Sequence, residues 1–298
     1  MTIQHLLSNP RFVGGSILVL AFVLVAVAAP MIAPPNEEDA YVIPSGGIAL
    51  HPTPPSAEHP LGMMEGKRDV VYGLVWGTRV AFKIGLPVAI GRALIGVMVG
   101  LISGYYGGPL DSVLMRITDA FLAFPIMAAV LVMLAFFGGG WLNIQIGGVN
   151  QVIVLALILF GWMQYARVMR GNVLSVREEA YVEAAIAIGA TDRRIIVRHI
   201  LPNASQELFV LVASDIGAMV VLAAMFSFIG LSRNQALADW GQMLNRSRNW
   251  IIGSPANAFQ YWYTYLPPSV AIVLFSIGWN LIGEGLREAV DPRQRVVR

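Results

Sequence analysis

The sequence holds four histidines, His5, His51, His59 and His199, and they fall in four unrelated places. No HExxH, no GxSxG and no pair of carboxylates at catalytic spacing accompanies them. Metal-assisted hydrolysis, acyl transfer and paired-acid chemistry therefore lack the residues they need at the spacing they need. Cysteine is absent, which removes thiolate metal sites, disulfides and thiol nucleophiles. A phosphate-cradling GxxxxGK[ST] run is missing as well, so nucleotide hydrolysis by that route lacks its residues here. The polar chemistry gathers in one stretch, Arg177 to Asn203 (REEAYVEAAIAIGATDRRIIVRHILPN), and in two charges stranded in apolar sequence, Arg92 and Asp215.

The polar stretch reads as two short helices. The first closes at Gly189, a natural left-handed stop; the second opens near Thr191, an acceptable cap, and ends at Pro202. Apolar positions recur at helical spacing in Tyr181, Ala184, Ala185 and Ile188, then in Ile195, Ile196 and His199. The pair is too short and too polar to cross a bilayer, so it is expected outside the hydrocarbon with a face offered to a partner. Glu179 and Glu183 share a helical face four residues apart, an arrangement that costs a few tenths of a kcal/mol in an isolated helix. The helix N-terminus eases Glu179. Glu183 lies a turn deeper and is expected to meet Arg193, Arg194 or a donor on another chain.

These residues must be positioned by membrane-spanning elements. Hydrophobic residues make up 56% of the 298 and charged residues 13%, about half the charge of soluble domains. The net charge of +2 gives no argument for nucleic acid. Residues 12–33 form a first apolar span, too long for a signal-peptide core, and residues 34–60 form a Pro-rich, acidic external loop. Residues 70–82 read as an interfacial helix with Trp76 at headgroup level. Further spans are expected at about 82–103, 120–137 (kinked at Pro125), 151–169, 206–230 and 266–286, with residues 104–119 a short connection. The fold class is an all-α membrane protein with six transmembrane helices, divided into residues 1–58 (arm, first span and external loop) and a core of residues 59–298. Arginine density then places both termini and the Arg177–Asn203 stretch on the cytoplasmic side; Arg293, Arg295 and Arg298 count inside and Arg233 outside.

Depth arithmetic links the two stranded charges. At about 1.5 Å per residue, Arg92 and Asp215 lie about 16 and 14 Å from the inner ends of their spans. Each alone costs roughly 2.5 to 3.5 kcal/mol in hydrocarbon, and such charges face the bundle or a wet cavity. They are expected either to pair across the second and fifth spans or to line a pathway.

Glu183, Ala184 and Ala185, then Gly189, then Leu201-Pro202 resemble the EAA loop of permease subunits of ABC importers, in the form found in the dipeptide, oligopeptide and nickel branch. His199 stands where an isoleucine is usual. HPLGMMEGKRDV (59–70), SFIGL (227–231), Trp240-Gly241-Gln242-Met243-Leu244 and NLIGEGLREAVDPR (280–293) are similar to the same branch, so the resemblance covers about residues 59–293. Met63-Met64 and Lys67 depart from the branch's usual Thr-Asp and glycine. Ala223 stands where a glutamate is frequent. The resemblance implies a plasma-membrane permease with a second permease, one or two ATPase subunits carrying ATP and Mg, and an external solute-binding protein as partners, and no cofactor on this chain. It implies that Glu183, Ala184, Ala185, Gly189, Arg193, Arg194, His199 and Pro202 couple to the ATPase. The expected cargo is a peptide, with oligosaccharides and metal chelates as alternatives; a multi-pass membrane enzyme is the remote one.

Overall fold

The computed structural model describes residues 6–138, 145–146, 148–231, 236–252 and 259–290. Arg233, Arg293, Arg295 and Arg298, used in the charge argument, lie outside them. Helix α1 (Pro10–Ile32) starts because Asn9 accepts from the Arg11 and Phe12 amides and Pro10 occupies the first turn. Asn9 also donates to Glu288 at 2.6 Å, and Arg11 pairs with the same carboxylate. The beginning and end of the described chain are thereby tied together.

A two-residue hairpin, β1 (Met63–Met64) and β2 (Arg68–Asp69), leads into α2 (Val70–Tyr106). This helix corrects the expectation of an interfacial segment followed by a separate span. Nothing between residues 70 and 106 breaks the pattern, and Pro87 sits inside without ending the helix. Its 37 residues reach about 55 Å, longer than a hydrocarbon core. Trp76 is not at a headgroup surface: it is buried and donates to the Ala33 carbonyl at 3.0 Å.

The expected connection at 104–119 is instead helix α3 (Gly108–Leu122), joined to α4 (Ile126–Phe137) at a bend of 84°. Pro125 does not kink a continuous helix but precedes one, with extended backbone at its own position; α3 has already ended at Leu122, as helical conformation is disfavoured at Phe124, the residue before the proline. Strands β3 (Gln145–Ile146) and β4 (Val149–Asn150) pair and lead into α5 (Gln151–Leu159). The expected 151–169 span is broken at residues 160–162 and continues as α6 (Met163–Arg177).

Two short helices follow, α7 (Ala180–Ala187) and α8 (Asp192–Ile195); α8 passes through a π-helical turn (Ile196–Ile200) into α9 (Leu201–Ala204). Pro202 therefore does not stop the second short helix. It falls in the first turn of α9, where the wide π turn before it removes the demand for its missing amide hydrogen. Helices α10 (Gln206–Ile229), α11 (Trp240–Ile252) and α12 (Trp262–Val290) complete the described chain.

Among the described residues five helices, counting α5 with α6 as one, are long and apolar enough to cross a membrane, and six crossings result if the bent α3–α4 pair is one span. In the bundle α2 packs along α6 and α10, and α12 lies between α10 and α1. The α2–α6 contact runs on a stripe of Gly96, Gly100 and Gly104: a Cβ at Gly100 would lie 2.8 Å from Met169 Cβ, and one at Gly104 2.9 Å from Val173 Cβ. Small residues every fourth position let the backbones approach closely.

Candidate coupling loop and intramembrane charge cluster

The segment after α6 is fixed to the bundle by three polar contacts. Asn172 donates to the Ala204 carbonyl at 2.9 Å, Arg177 to the Tyr105 carbonyl at 3.0 Å, and the Tyr105 hydroxyl to Asp192 at 2.8 Å. Val182, Ala185, Ile195 and Ile200 are buried beneath it. Of the face expected to be offered to a partner, Tyr181, Ala184 and Ile188 point outward, while Ala185 is buried. Tyr181, Ile186, Ile188 (85% exposed) and Val197 make an uncovered apolar surface, beside exposed Glu183, Ala184, Arg193 and Arg194. Glu183 makes no ion pair or hydrogen bond among the described residues, so the expected contact with Arg193 or Arg194 within the chain is absent. Burial pushes the exposed loop's Tyr181 hydroxyl above its usual range, with Glu179 adding to the shift.

Gly189 has φ +79°, with open space around the position a Cβ would take. The Ala190 amide donates to Ala185 at 3.1 Å and the Gly189 amide to Ile186 at 2.9 Å, the doubled closure that a left-handed C-terminal residue permits. Thr191 is extended as a cap should be, but its side chain makes no capping bond. His199 is half-buried, its ring 6.2 Å from that of Tyr181.

Arg92 and Asp215 meet. Arg92 Nη1 lies 3.1 Å from Asp215 Oδ1 and 3.3 Å from Oδ2, with side chains 5% and 13% exposed. Arg92 Nε donates to the Leu157 carbonyl at 2.7 Å, and the Tyr165 hydroxyl donates to Asp215 Oδ2 at 3.1 Å. A groove of about 800 Å³ between α6, α10 and α12 is lined by Asn172, Ser175, Gln206, Glu207, Ser214 and Arg287, among others, and neither Arg92 nor Asp215 is among them. Sequence reading missed this groove, whose polar residues carry no motif. It also missed the glycine stripe, which the four-residue spacing of Gly96, Gly100 and Gly104 does spell out.

At the opposite end of α2, the HPLG and RDV residues form a cap. Asp69 accepts from the Tyr72 amide at 2.8 Å and faces His59 Nδ1 at 2.5 Å, while the Val70 amide donates to the Gly62 carbonyl at 3.2 Å. Lys67 takes φ +51°, a conformation that suits the glycine usual there in the resembled branch.

A family model described as "binding-protein-dependent transport system inner membrane component" matches residues 96–296, and one described as "N-terminal TM domain of oligopeptide transport permease C" matches residues 1–46. The chain belongs to the family of binding-protein-dependent transport system inner membrane components. It is a permease subunit of ABC-transporter type, a transport component and not an enzyme. Among relatives of this permease, the dipeptide transport system permease protein DppC of Alkalihalophilus pseudofirmus is 33% identical over 98% of this chain and 89% of its own. The oligopeptide permease OppC of Bacillus subtilis is 31% identical over 97% and 87%. The glutathione permease GsiD of Pectobacterium atrosepticum is 34% identical over 80% and 74%. The permease also shares its fold with a chain of the MetNI methionine ABC transporter in an inward-facing form, at TM-score 0.54 and 20% identity over 76% of this chain and 97% of that one.

Proposed function

We propose that the permease forms half of a pathway for short peptides, opposite a homologous second permease, and receives its solute from an external binding protein. ATP and Mg are bound and hydrolysed by ATPase subunits that dock on the Arg177–Asn203 segment, with Glu183, Ala184, Ala185, Gly189, Arg193, Arg194, His199 and Pro202 as the coupling residues. The observation that carries the docking is the exposure of four large apolar side chains, Tyr181, Ile186, Ile188 and Val197, within one short charged segment: exposed apolar surface among polar residues marks an interaction site. Glu183, without a partner among the described residues, is left for a donor on the ATPase. Closure of the ATPase dimer moves this segment and alternates access to the pathway. The chain resides in the inner membrane with both termini and the docking segment cytoplasmic, an orientation supported by the arginine density. The peptide assignment rests on the dipeptide and oligopeptide permeases named above.

The test is a complex of this permease with its partner permease, ATPases and binding protein in lipid vesicles, assayed with labelled di- to pentapeptides, an oligosaccharide and a nickel chelate. Peptide uptake that requires ATP is expected. Glu183→Ala should retain less ATPase or hydrolyse ATP without uptake; uptake of only the sugar or the chelate would overturn the cargo, and wild-type coupling in Glu183→Ala would overturn its role.

A further inference from the structure

We propose that Arg92 is a positioning residue for transport: it supplies the hydrogen bond lost where α5 breaks from α6 and, with Asp215 and Tyr165, ties both halves of that span to α10. The proposal rests on the permease reading above. In an unbroken helix the Leu157 carbonyl would accept from the Gly161 amide. Here the Phe160 amide donates to Ala156 at 3.0 Å and the Gly161 amide turns to Ile158 at 3.4 Å, and Arg92 Nε takes the Leu157 carbonyl at 2.7 Å. A cation at that point also faces the negative end of α5. Beyond the break Tyr165, in the first turn of α6, donates to the carboxylate that holds Arg92. One guanidinium from α2 and one carboxylate from α10 therefore grip the span on either side of residues 160–162.

Gly161 makes room for this grip. A Cβ there would overlap Arg92 Nε, Cζ and Nη2, so no larger residue fits while the guanidinium stays in place. Helix α6 runs directly into the docking segment, and Asn172 of α6 donates to the Ala204 carbonyl at that segment's far end. Movement of that segment therefore reaches the break along α6, and reaches α2, which carries Arg92, through Tyr105. With the clamp intact α5 and α10 follow α6; without it the break absorbs the movement. Stability alone is a weak reason for the pair, because a buried ion pair is commonly no better than apolar residues of similar volume.

The test uses the reconstituted complex and two readouts: peptide moved per ATP hydrolysed, and the distance between spin labels placed on α5 and α6 across the break. Gly161→Ala leaves both charges in the chain and displaces the guanidinium, and Arg92→Met removes it. Each is expected to lower peptide moved per ATP by about fivefold or more, with ATPase subunits still bound, and to broaden the spin-label distance. The double variant should be no worse than either single one, since both remove the same contact. Arg92→Lys should not rescue, because a single ammonium cannot hold the Leu157 carbonyl and Asp215 in a fork. If Arg92→Met fails to fold, Arg92→Met with Asp215→Leu removes the unpaired charge and is expected to fold and uncouple. Wild-type coupling in Gly161→Ala, additive losses in the double variant, or unchanged spin-label distances would overturn the clamp. A wild-type complex that moves no peptide would instead overturn the cargo assignment, while the distances would still decide the clamp.

Discussion

Gly189 shows how much one residue can determine. Its φ of +79° closes α7 with two backbone hydrogen bonds, and a β-branched side chain in that conformation costs about 1 kcal/mol or more. The space around it is open, so the bundle is not disturbed. Gly189→Val is expected to purify as a folded permease that loses its ATPase on size-exclusion chromatography; co-elution at wild-type stoichiometry would contradict docking through this turn. Asp239 makes a second residue-scale case. Burial pushes its carboxyl above the usual range, while the Ser227 hydroxyl and the Gly241 and Gln242 amides pull it back. The folded protein then keeps a proton that the unfolded chain has released, so stability falls as pH climbs from the ordinary aspartate value of about 3.9 toward the raised folded one. Asp239→Asn removes this loss. Thermal melts in detergent from pH 4 upward, on a scale set by about 3.9 for a free aspartate, should show the variant gaining on the wild type as pH rises.

At the scale of elements, α2 is organised from both ends. Its N-terminal end is capped by Asp69, and Asp69→Ala should lower stability by about 1 kcal/mol, read by denaturant titration of α-helical signal in detergent. Toward the other end the Gly96, Gly100 and Gly104 stripe brings α6 into backbone contact. A leucine at Gly100 has no space beside Met169, and overpacking there should cost about 1 to 3 kcal/mol, with loss of the purified complex as the visible result. Helices α3 and α4 divide their work differently. Arg170 binds Asp111 through two bonds of 2.6 Å and Arg167 reaches Asp119 at 2.6 Å, so α3 is pinned to α6 by charge while α4 carries no ionisable residue.

For the whole molecule, the Asn9–Glu288 and Arg11–Glu288 contacts tie the start of α1 to the end of α12, which requires α1 to begin and α12 to end on one face. The chain contains no cysteine, so single introduced thiols report sidedness without a background. Ser8→Cys and Ile188→Cys should react with an impermeant maleimide from the same side of inside-out vesicles, and Lys67→Cys only from the other; labelling of Ser8→Cys and Ile188→Cys from opposite sides would overturn the orientation.

The sequence by itself determined the membrane class, the positions of most apolar helices, the left-handed turn at Gly189 and the level placement of Arg92 and Asp215. Each of these follows from local composition or from a rise per residue that no neighbour changes. Tertiary structure decided the rest. Whether residues 70–82 lie at a surface or extend α2 depends on the Ala33 carbonyl that receives Trp76. The two faces of α7 are set by what packs beneath Val182 and Ala185, which a short helix with apolar residues all round does not specify. The break at residues 160–162 is the clearest instance: a glycine in an apolar run is tolerated within a helix, and it interrupts this one where a guanidinium from a helix 65 residues earlier in the chain takes over the Leu157 carbonyl.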